Sequence, residues 1–392
     1  MKLLSRIRKL FNPTKYSMKI FIDNSGFNNR GDQLMIQAVQ EQLFEHYPNA
    51  QMLVKKDVFL QNPTYCMAHK LYPLELSKSR IKQSLLYKKV LNLLLRDEWI
   101  VTPRDVDVIL DCRGYHLADW RITNQDYVEF LRNYYEKFSK KNRKLIMLPQ
   151  AFGPFENPYS KEAMLIVSKQ ANYIYAREKT SYSYLKDLLP EFNNIEVSPD
   201  FTCLTQEYDK RSIILPKKEY IILIPNTKMI EQGKSTEEQY ISWLAAIAKH
   251  LQKNGENIIL LNHEGEKDEI LLKKVNIALG CSLPIYTNLS GLEIKALIND
   301  AKLVISGRYH GVVSGLTQHA PTLCTGWSHK YAELMAEHKC YNNILSVDDL
   351  QGSISLIDAA LKCPKEYSSK ENCVDFISYR VRAMWSNIFR YF

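Results

Sequence analysis

The sequence predicts an α/β protein with two doubly wound domains. Short apolar runs rich in β-branched residues alternate with longer helical patterns, which is typical of parallel sheets covered by helices. The alternation stops at a polar, basic stretch, TQEYDKRS, after which a fresh series of strand patterns begins. The chain has 392 residues, of which 45% are hydrophobic, and this is enough for two ordinary cores.

This restart predicts a domain boundary near residue 210. We expect a basic N-terminal segment at 1–17, a first Rossmann-like domain at 18–208 and a second at 209–340. The remaining segment, 341–392, has helical patterns and is expected to pack back across the domains.

Eight strand patterns define the two series. The first series is KIFID, VDVILD, KLIMLP and YIYA, and the second is YIILIPN, NIILLNH, KLVIS and PTLCTG. Two of the intervening helices carry start signals. Asn157 precedes Pro158 at a first helical position, and Ser290 with Glu293 forms a capping box ahead of IKALI.

Charge and cysteine usage limit the partners and the compartment. The chain has 52 Lys and Arg against 43 Asp and Glu, a formal net charge of +9, which suits an anionic small molecule or an anionic membrane surface. No nucleic-acid partner is expected, because no RNP-like, RGG or zinc-finger pattern accompanies the charge. Eight cysteines without a C-x-x-C pair indicate reduced thiols, and no signal peptide or membrane-spanning stretch is evident, so we expect a cytoplasmic protein.

Both ends interleave basic and large apolar residues, as in Arg6, Arg8, Leu10 and Phe11 and in the C-terminal YRVRAMWSNIFRYF. A helix of this kind either lies on an anionic bilayer or packs on its own protein. Packing is favoured for the C-terminal segment, and peripheral contact with the inner membrane face stays open.

Polar segments follow the predicted strands. They are NSGFNNRGD, DCRGYHLADW, PQAFGPF, AREKTS, SPDF, IPNTKM, NHEGEKDE and SGRYHGVVSG. Ligands of open α/β sheets bind beyond the carboxyl ends of the strands. The sequence therefore predicts a ligand cleft between the domains, lined by these segments.

An anion site is predicted in the second domain. The strand KLVIS is followed by Arg308 and His310 at the start of a small-residue helix, where free N–H groups and the positive dipole end favour a phosphate or carboxylate. Lys330 follows the next strand and is expected to reach the same anion. The alternative is that His310 caps its helix and Lys330 is a solvated charge.

Candidate groups in the first domain are also open to two interpretations. Arg177 ends the strand YIYA and either adds a third cation across the domain interface or pairs with Glu178. Asp111, His116 and Asp119 in DCRGYHLADW are either acid–base groups or turn and helix-cap residues.

The first glycine turn resembles a phosphate loop but fails as one. Gly26 and Gly31 have the P-loop spacing, yet Asp32 and Gln33 stand where that motif requires Lys and Ser or Thr. A carboxylate repels phosphate, so Asp32 either caps its helix or faces uncharged hydroxyls of an acceptor. No metal-ligand spacing is present, so no metal is expected. No G-x-S-x-G elbow is present either, so a Ser–His–Asp hydrolase is not supported.

Taken together, these motifs resemble the polysaccharide pyruvyl transferase family from about residue 18 to residue 334. The segments that carry the resemblance are NNRGD, DCRGYHLADW, PQAFGPF, REKTS and RYHG followed by SHK, in the family's order. The resemblance implies a GT-B-like fold, with two Rossmann-like domains facing a central cleft. It also implies transfer of pyruvate from phosphoenolpyruvate to sugar hydroxyls as a ketal, on a lipid-linked saccharide of surface polysaccharide assembly, without a cofactor.

The resemblance also assigns residues. The phosphoenolpyruvate-binding positions are expected at Arg177, His310 and Lys330, with Arg308 adjoining them. The expected catalytic residues are His310, Asp32 and Asp111, with His310 either the acid–base group or a further phosphate ligand. The acceptor-binding residues are expected to be Asn29, Asp32, Arg113, His116 and Asp119.

Arg113 departs from the family pattern, since relatives more often carry a small residue there. Its side chain either faces the cleft and alters acceptor choice or points outward.

Two other functions stay open on the sequence alone. A GT-B glycosyltransferase would use the same cleft for a nucleotide sugar, with Glu264 or Glu266 on the ribose. A non-enzymatic carbohydrate- or lipid-binding protein would not require the clustered Arg177, His310 and Lys330.

Overall fold

Two parallel β-sheets, each covered by helices on both faces, form the framework of the protein. The computed structural model describes residues 18–24, 26–76, 101–138, 142–205, 213–216 and 218–392. The predicted N-terminal segment and the predicted boundary near residue 210 lie outside these ranges.

The first sheet has seven parallel strands in the spatial order β3-β2-β1-β4-β5-β6-β7. The strands are β1 (Met18–Asp23), β2 (Ala50–Lys55), β3 (Leu71–Leu74), β4 (Val108–Asp111), β5 (Lys144–Gln150), β6 (Tyr173–Ala176) and β7 (Ile195–Val197). The helices are α1 (Arg30–His46), α2 (Lys56–Gln61), α3 (Pro63–Ala68), α4 (Gln125–Glu136), α5 (Pro158–Ser168) and α6 (Lys179–Leu188). The strand order reverses between β1 and β4, and a crevice opens at such a reversal.

The second sheet has five parallel strands in the order β10-β9-β8-β11-β12. They are β8 (Ile221–Ile224), β9 (Ile258–Leu261), β10 (Ile285–Tyr286), β11 (Leu303–Ser306) and β12 (Thr322–Cys324). The helices are α7 (Lys228–Glu231), α8 (Glu237–Lys253), α9 (Gly265–Leu279), α10 (Gly291–Asn299), α11 (Tyr309–Thr317) and α12 (His329–Glu337). All residues of β8, β9 and β11 are buried, as expected for strands covered on both faces.

Local sequence signals account for the observed helix starts. The Asn157 side chain accepts a hydrogen bond from the Ser160 N–H at 2.9 Å, with Pro158 at the first helical position of α5. Ser290 and Glu293 form the reciprocal capping box of α10. Both predictions are confirmed, and each of the eight predicted strands overlaps a strand of the structure.

Two further helices follow the second sheet, α13 (Leu350–Lys362) and α14 (Glu371–Phe389). Helix α13 packs on the core of the second domain, whereas α14 returns to the core of the first domain. The apolar stripe of α14 is buried there; its residues are Ile377, Val381, Met384, Trp385 and Ile388. Among the helices that the structure describes, none is both long and apolar enough to cross a bilayer.

Main-chain and side-chain contacts join the two domains near the start of α1. Asn29 forms an antiparallel bridge with Glu264, which precedes α9. The Gln33 side chain accepts a hydrogen bond from the Gly291 N–H at 3.0 Å, and this ties α1 to α10. These contacts hold the carboxyl ends of the two sheets opposite one another.

The packing of α14 predicts a large stability effect. Trp385 is 1% exposed in the core of the first domain, so Trp385→Ala should lower the free energy of unfolding by about 3–5 kcal/mol. Phe376→Ala is the matched control on the same helix, because Phe376 is 61% exposed, and it should change stability by less than about 0.5 kcal/mol. Urea denaturation followed by circular dichroism measures both, and equal effects of the two variants would contradict this packing.

Candidate active site

A cavity of about 280 Å³ lies between the domains, at the carboxyl ends of both sheets. Both domains contribute to its lining. The lining residues are Asn29, Asp32, Met35, Arg113, Gly114, Tyr115, His116, Trp120, Arg121, Arg177, Asn226, Lys228, His263, Glu264, Arg308, Tyr309, His310, Trp327, Lys330 and Tyr331. Eight of the predicted site residues are therefore brought together, while Asp111 and Asp119 are not in the lining.

Lys330, in the first turn of α12, lies among aromatic rings. Its ammonium nitrogen is 4.6 Å from the centroid of the Trp327 ring, and 5.3 Å from those of Tyr115 and Tyr309. No carboxylate of the described residues forms an ion pair with it. Burial and the nearby Arg177 guanidinium lower the pKa of Lys330 well below its usual range. An anion in the cavity would supply the counter-charge that this side chain lacks.

Arg177, directly after β6, reaches across the domain interface. Its Nη1 donates to Asp200 Oδ2 at 3.1 Å, and its guanidinium lies 3.9 Å from the centroid of the Tyr309 ring of the second domain. Its Nε is 3.8 Å from Glu178 Oε2 and has no hydrogen-bond partner within the described part of the chain. Arg177 thus both faces the cavity and lies beside Glu178.

Arg308, at the N-cap position of α11, is already neutralised by carboxylates. Its Nε donates to Asp268 Oδ2 at 2.8 Å, and its terminal nitrogens form ion pairs with Asp268 and Glu264. Burial lowers the pKa of Arg308 to about 10. A ligand anion at Arg308 would have to compete with Glu264, so its role as a phosphate ligand stays a prediction.

His310, in the first turn of α11, lies where the two domains meet. Its Nε2 is 3.5 Å from Asp200 Oδ2. The imidazole packs on Gly31 of α1 so closely that a Cβ at Gly31 would overlap the ring. The N-cap of α11 is Arg308 and not His310. Glycine at position 31 is thus needed for the approach of this histidine.

Asp32 also lines the cavity, next to Gly31 in the first turn of α1. The N-cap of α1 is Asn29, whose Oδ1 accepts from the N–H of Gly31 at 2.8 Å and of Asp32 at 3.4 Å. The Asp32 carboxyl is therefore not the cap. Burial raises the pKa of Asp32 to about 7, although Lys55 and Arg121 act in the opposite direction.

Arg113 is buried in a charge network beneath the cavity. Its Nη2 donates to Asp111 Oδ2 at 2.6 Å and to Tyr135 Oη at 2.7 Å, and its Nε is 3.4 Å from Asp23 Oδ2. The side chain does not point outward. Asp111 is fully buried by this pairing, and its catalytic role stays a prediction.

His116 and Asp119 occupy different environments. Nδ1 of His116 is 3.1 Å from Gln150 Oε1, while burial and Arg113 lower the pKa of His116 to about 3, so its ring is neutral. Asp119 accepts hydrogen bonds from the Ser160 hydroxyl and from the Glu156 N–H, the latter at 2.8 Å. Asp119 thus supports the start of α5 outside the cavity.

The sequence did not predict the aromatic residues that line the cavity, here called the aromatic wall, or the buried carboxylates Asp200 and Asp268 that hold Arg177 and Arg308. The wall residues are Tyr115, Trp120, Tyr309, Trp327 and Tyr331. Trp120 and Trp327 meet across the interface with ring centroids 5.7 Å apart. All five residues lie in or beside segments that follow strands. Their positions in the sequence do not distinguish aromatic residues that line the cavity from aromatic residues of the core. Among the residues described, no group of three or more His, Cys, Asp or Glu side chains is arranged to hold a metal ion.

Solved structures share this arrangement of domains. S. aureus MnaA with UDP superposes with a TM-score of 0.58 at 10% identity, covering 96% of this chain and 98% of that chain. Anabaena Alr3699/HepE in complex with UDP and glucose gives 0.58 at 12% identity, covering 95% and 98%. Methanocaldococcus jannaschii UDP-GlcNAc 2-epimerase in complex with UDP-GlcNAc and UDP gives 0.57 at 15% identity, covering 94% and 99%. At such identities the likeness shows the fold alone.

The fold and the cleft define a GT-B-like protein of two Rossmann-like domains with a cation-lined cavity between them, as the sequence predicts. The family model described as polysaccharide pyruvyl transferase matches residues 29–329, and the chain belongs to that family. No curated protein matches the chain by sequence. Family membership confirms the resemblance seen in the motifs.

The raised pKa of Asp32 predicts a pH-dependent difference in stability. The folded protein keeps the Asp32 proton up to a pH of about 7, whereas the unfolded chain loses it near pH 4, so wild-type stability falls between these values. Asp32→Asn lacks this loss. Its melting temperature should exceed that of the wild type at pH 8, with a smaller difference at pH 4. A difference independent of pH in scanning calorimetry would refute the raised pKa of the Asp32 carboxyl.

Proposed function

We propose that the protein transfers pyruvate from phosphoenolpyruvate to two hydroxyls of a sugar as a ketal. The observation that carries the proposal is the buried Lys330, which lies in a cavity with Arg177 and His310 and lacks a carboxylate partner among the described residues. Family membership supports a pyruvyl transferase.

The donor has two anionic groups, a phosphate and a carboxylate, and the cavity offers cations from both domains. Lys330 and Arg177 bind these groups in the proposal. Charge-assisted hydrogen bonds in a site that excludes water are stronger than neutral ones. The aromatic rings around Lys330 keep water from it and hold its stem in place. Arg308 joins the clamp only when Glu264 releases it.

The proposed reaction is an addition followed by a substitution. A proton adds to the methylene carbon of phosphoenolpyruvate and makes the methyl group, while the oxygen of one hydroxyl bonds to the adjacent carbon and its proton passes to a base. Phosphate then leaves with the electron pair of its C–O bond, and the second hydroxyl closes the ring and loses its proton. The products are the ketal and hydrogen phosphate.

His310 is the proposed acid–base group for these proton transfers. It lies beside Asp200 at the domain interface and borders the cavity. General acid–base catalysis by such a group typically contributes about 10²–10⁴-fold to a rate. Asp32 lines the same cavity from the first domain, where it is proposed to bind acceptor hydroxyls.

The acceptor is proposed to be a lipid-linked saccharide of surface polysaccharide assembly. The aromatic wall supports a sugar acceptor, because sugar rings pack their apolar C–H faces on aromatic rings. Trp120 and Tyr115 present such rings from the first domain, on the same side as Asp32.

A second candidate function is transfer from a nucleotide sugar. One observation favours it: the similar structures of MnaA and Alr3699/HepE are complexes with UDP. Glu264 is the carboxylate proposed for the ribose in this case, but it already forms an ion pair with Arg308.

Removal of His310 should abolish the reaction without unfolding the protein. His310→Ala is expected to lower the turnover number at least about 100-fold, because the proton donor is lost. Mass spectrometry of a lipid-linked sugar library incubated with phosphoenolpyruvate detects the ketal, and circular dichroism checks the fold. Turnover close to that of the wild type would exclude His310 as the acid–base group.

Removal of the Lys330 charge should weaken donor binding. Lys330→Met keeps the apolar stem, and loss of a charged hydrogen bond should raise the dissociation constant of phosphoenolpyruvate about 10- to 100-fold in calorimetry. Lys273→Met is the matched control, since Lys273 pairs with Glu269 on α9 outside the cavity. Thermal-shift assays with phosphoenolpyruvate and UDP-glucose separate the two candidates, and stabilisation by UDP-glucose alone would reject the proposed donor.

A further inference from the structure

Asp200 lies outside the cavity lining, yet it contacts both Arg177, which is proposed to bind the donor, and His310, the proposed acid–base group. It follows β7 in the segment SPDF and precedes the short 3₁₀ helix Phe201–Leu204. Its side chain is 3% exposed. A buried carboxylate is costly unless charges or donors surround it, so the partners of Asp200 explain its presence.

Each oxygen of Asp200 faces two donors. Oδ2 accepts from Arg177 Nη1 at 3.1 Å and lies 3.5 Å from His310 Nε2. Oδ1 accepts from the Thr202 N–H at 3.0 Å and from the Thr202 hydroxyl at 2.5 Å. Burial by itself would raise the pKa of Asp200, but the attraction of His310 and Arg177 holds it below the usual range. The carboxylate is therefore ionised.

This arrangement crosses the domain interface. Asp200 and Arg177 belong to the first domain, whereas His310 begins α11 of the second. Nε2 of His310 has no hydrogen-bond partner among the described residues at ordinary distance, and Asp200 Oδ2 is an ion-pair acceptor within reach. Such contacts are often long without substrate and shorten in the complex.

We propose that Asp200 is the positioning residue of the site, which keeps the His310 proton on Nε2 and fixes His310 relative to Arg177 across the domain interface. The expected effect of Asp200 on catalysis rests on the proposed function, whereas its contact with His310 does not. Asp200 is not in the cavity lining, so it is proposed to act through its neighbours and not on the substrate. It acts through His310, by orienting the ring, and through Arg177, by holding the guanidinium.

Asparagine cannot replace this carboxylate. An amide has one acceptor oxygen and one donor NH₂, whereas both oxygens of Asp200 accept. In Asp200→Asn the amide oxygen keeps the Thr202 side, because the main-chain N–H of Thr202 is fixed in place and can only donate. The NH₂ group then faces Arg177 and His310, where it donates to Nε2 of His310 and moves the ring proton to Nδ1.

The test compares Asp200→Asn with Thr202→Val. Thr202→Val removes a donor from the other oxygen of Asp200 but leaves the contacts with His310 and Arg177, so it reports a merely structural role. The readouts are the ¹⁵N shifts of the His310 ring in ¹⁵N-histidine-labelled protein, assigned with His310→Gln, and the kinetics of ketal formation. Calorimetry checks that both variants fold.

We expect Asp200→Asn to lower kcat about 10- to 100-fold, which is the effect of removing a carboxylate that orients a metal-bound histidine. We also expect the His310 ring to shift from the Nε2–H to the Nδ1–H form. Thr202→Val should keep the wild-type ¹⁵N signature and kcat within about twofold. An Asp200→Asn variant with the wild-type signature, or equal losses in both variants, would overturn the proposal.

The two readouts separate this proposal from the proposed function. The ring signature is measured without substrate, so it decides the Asp200–His310 contact even if the wild type forms no ketal. Absence of ketal with all acceptors would overturn the proposed reaction and the catalytic consequence for Asp200 alike. Ketal formation by the wild type with an unchanged Asp200→Asn variant would overturn only the role of Asp200.

Discussion

The contact between the start of α1 and the second domain is the constraint on which the site depends. Gly31 permits the His310 ring to lie against α1, and the bridge between Asn29 and Glu264 fixes the same region by its main chain. A larger side chain at position 31 would separate the domains where the cavity forms. The glycine turn that fails as a phosphate loop thus serves as a docking surface for the histidine of the other domain.

Charges in the cleft are arranged in two ways. Arg113 and Arg308 are held by carboxylates, and such pairs place side chains without leaving a net charge for a ligand. Lys330 instead lies among aromatic rings, which attract a cation but do not neutralise it. A ligand anion therefore gains most at Lys330. This division also explains why net charge alone does not locate the anion site.

Much of the fold and part of the site follow from sequence patterns. The eight predicted strands are apolar runs, but four of the described strands were not predicted. Of these, β7 and β10 have only three and two residues, and the apolar runs of β2 and β3 are interrupted by Gln51 and Pro73. Segments after strands identified Arg177, His310 and Lys330, because parallel strands deliver their next residues to one edge. Partners from distant segments were not predictable, since the pairing of Arg308 with Asp268 depends on how β11 and α9 are placed. Asp200 lies in SPDF, one of the segments predicted to line the cleft. Only its tertiary contact with His310 distinguishes it from a residue that merely caps a helix.

The site contains two ionisable groups, Lys330 and Asp32, whose charged forms are disfavoured by burial. Burial lowers the pKa of Lys330 and raises that of Asp32, so it acts against the charged form of both groups in the same cavity. An anionic donor favours protonation of Lys330, and it also favours a protonated Asp32 because two anions repel. Binding of the proposed donor would therefore be coupled to proton uptake at both groups. A neutral Asp32 is in turn able to donate a hydrogen bond to an acceptor oxygen, which an ionised carboxylate cannot do.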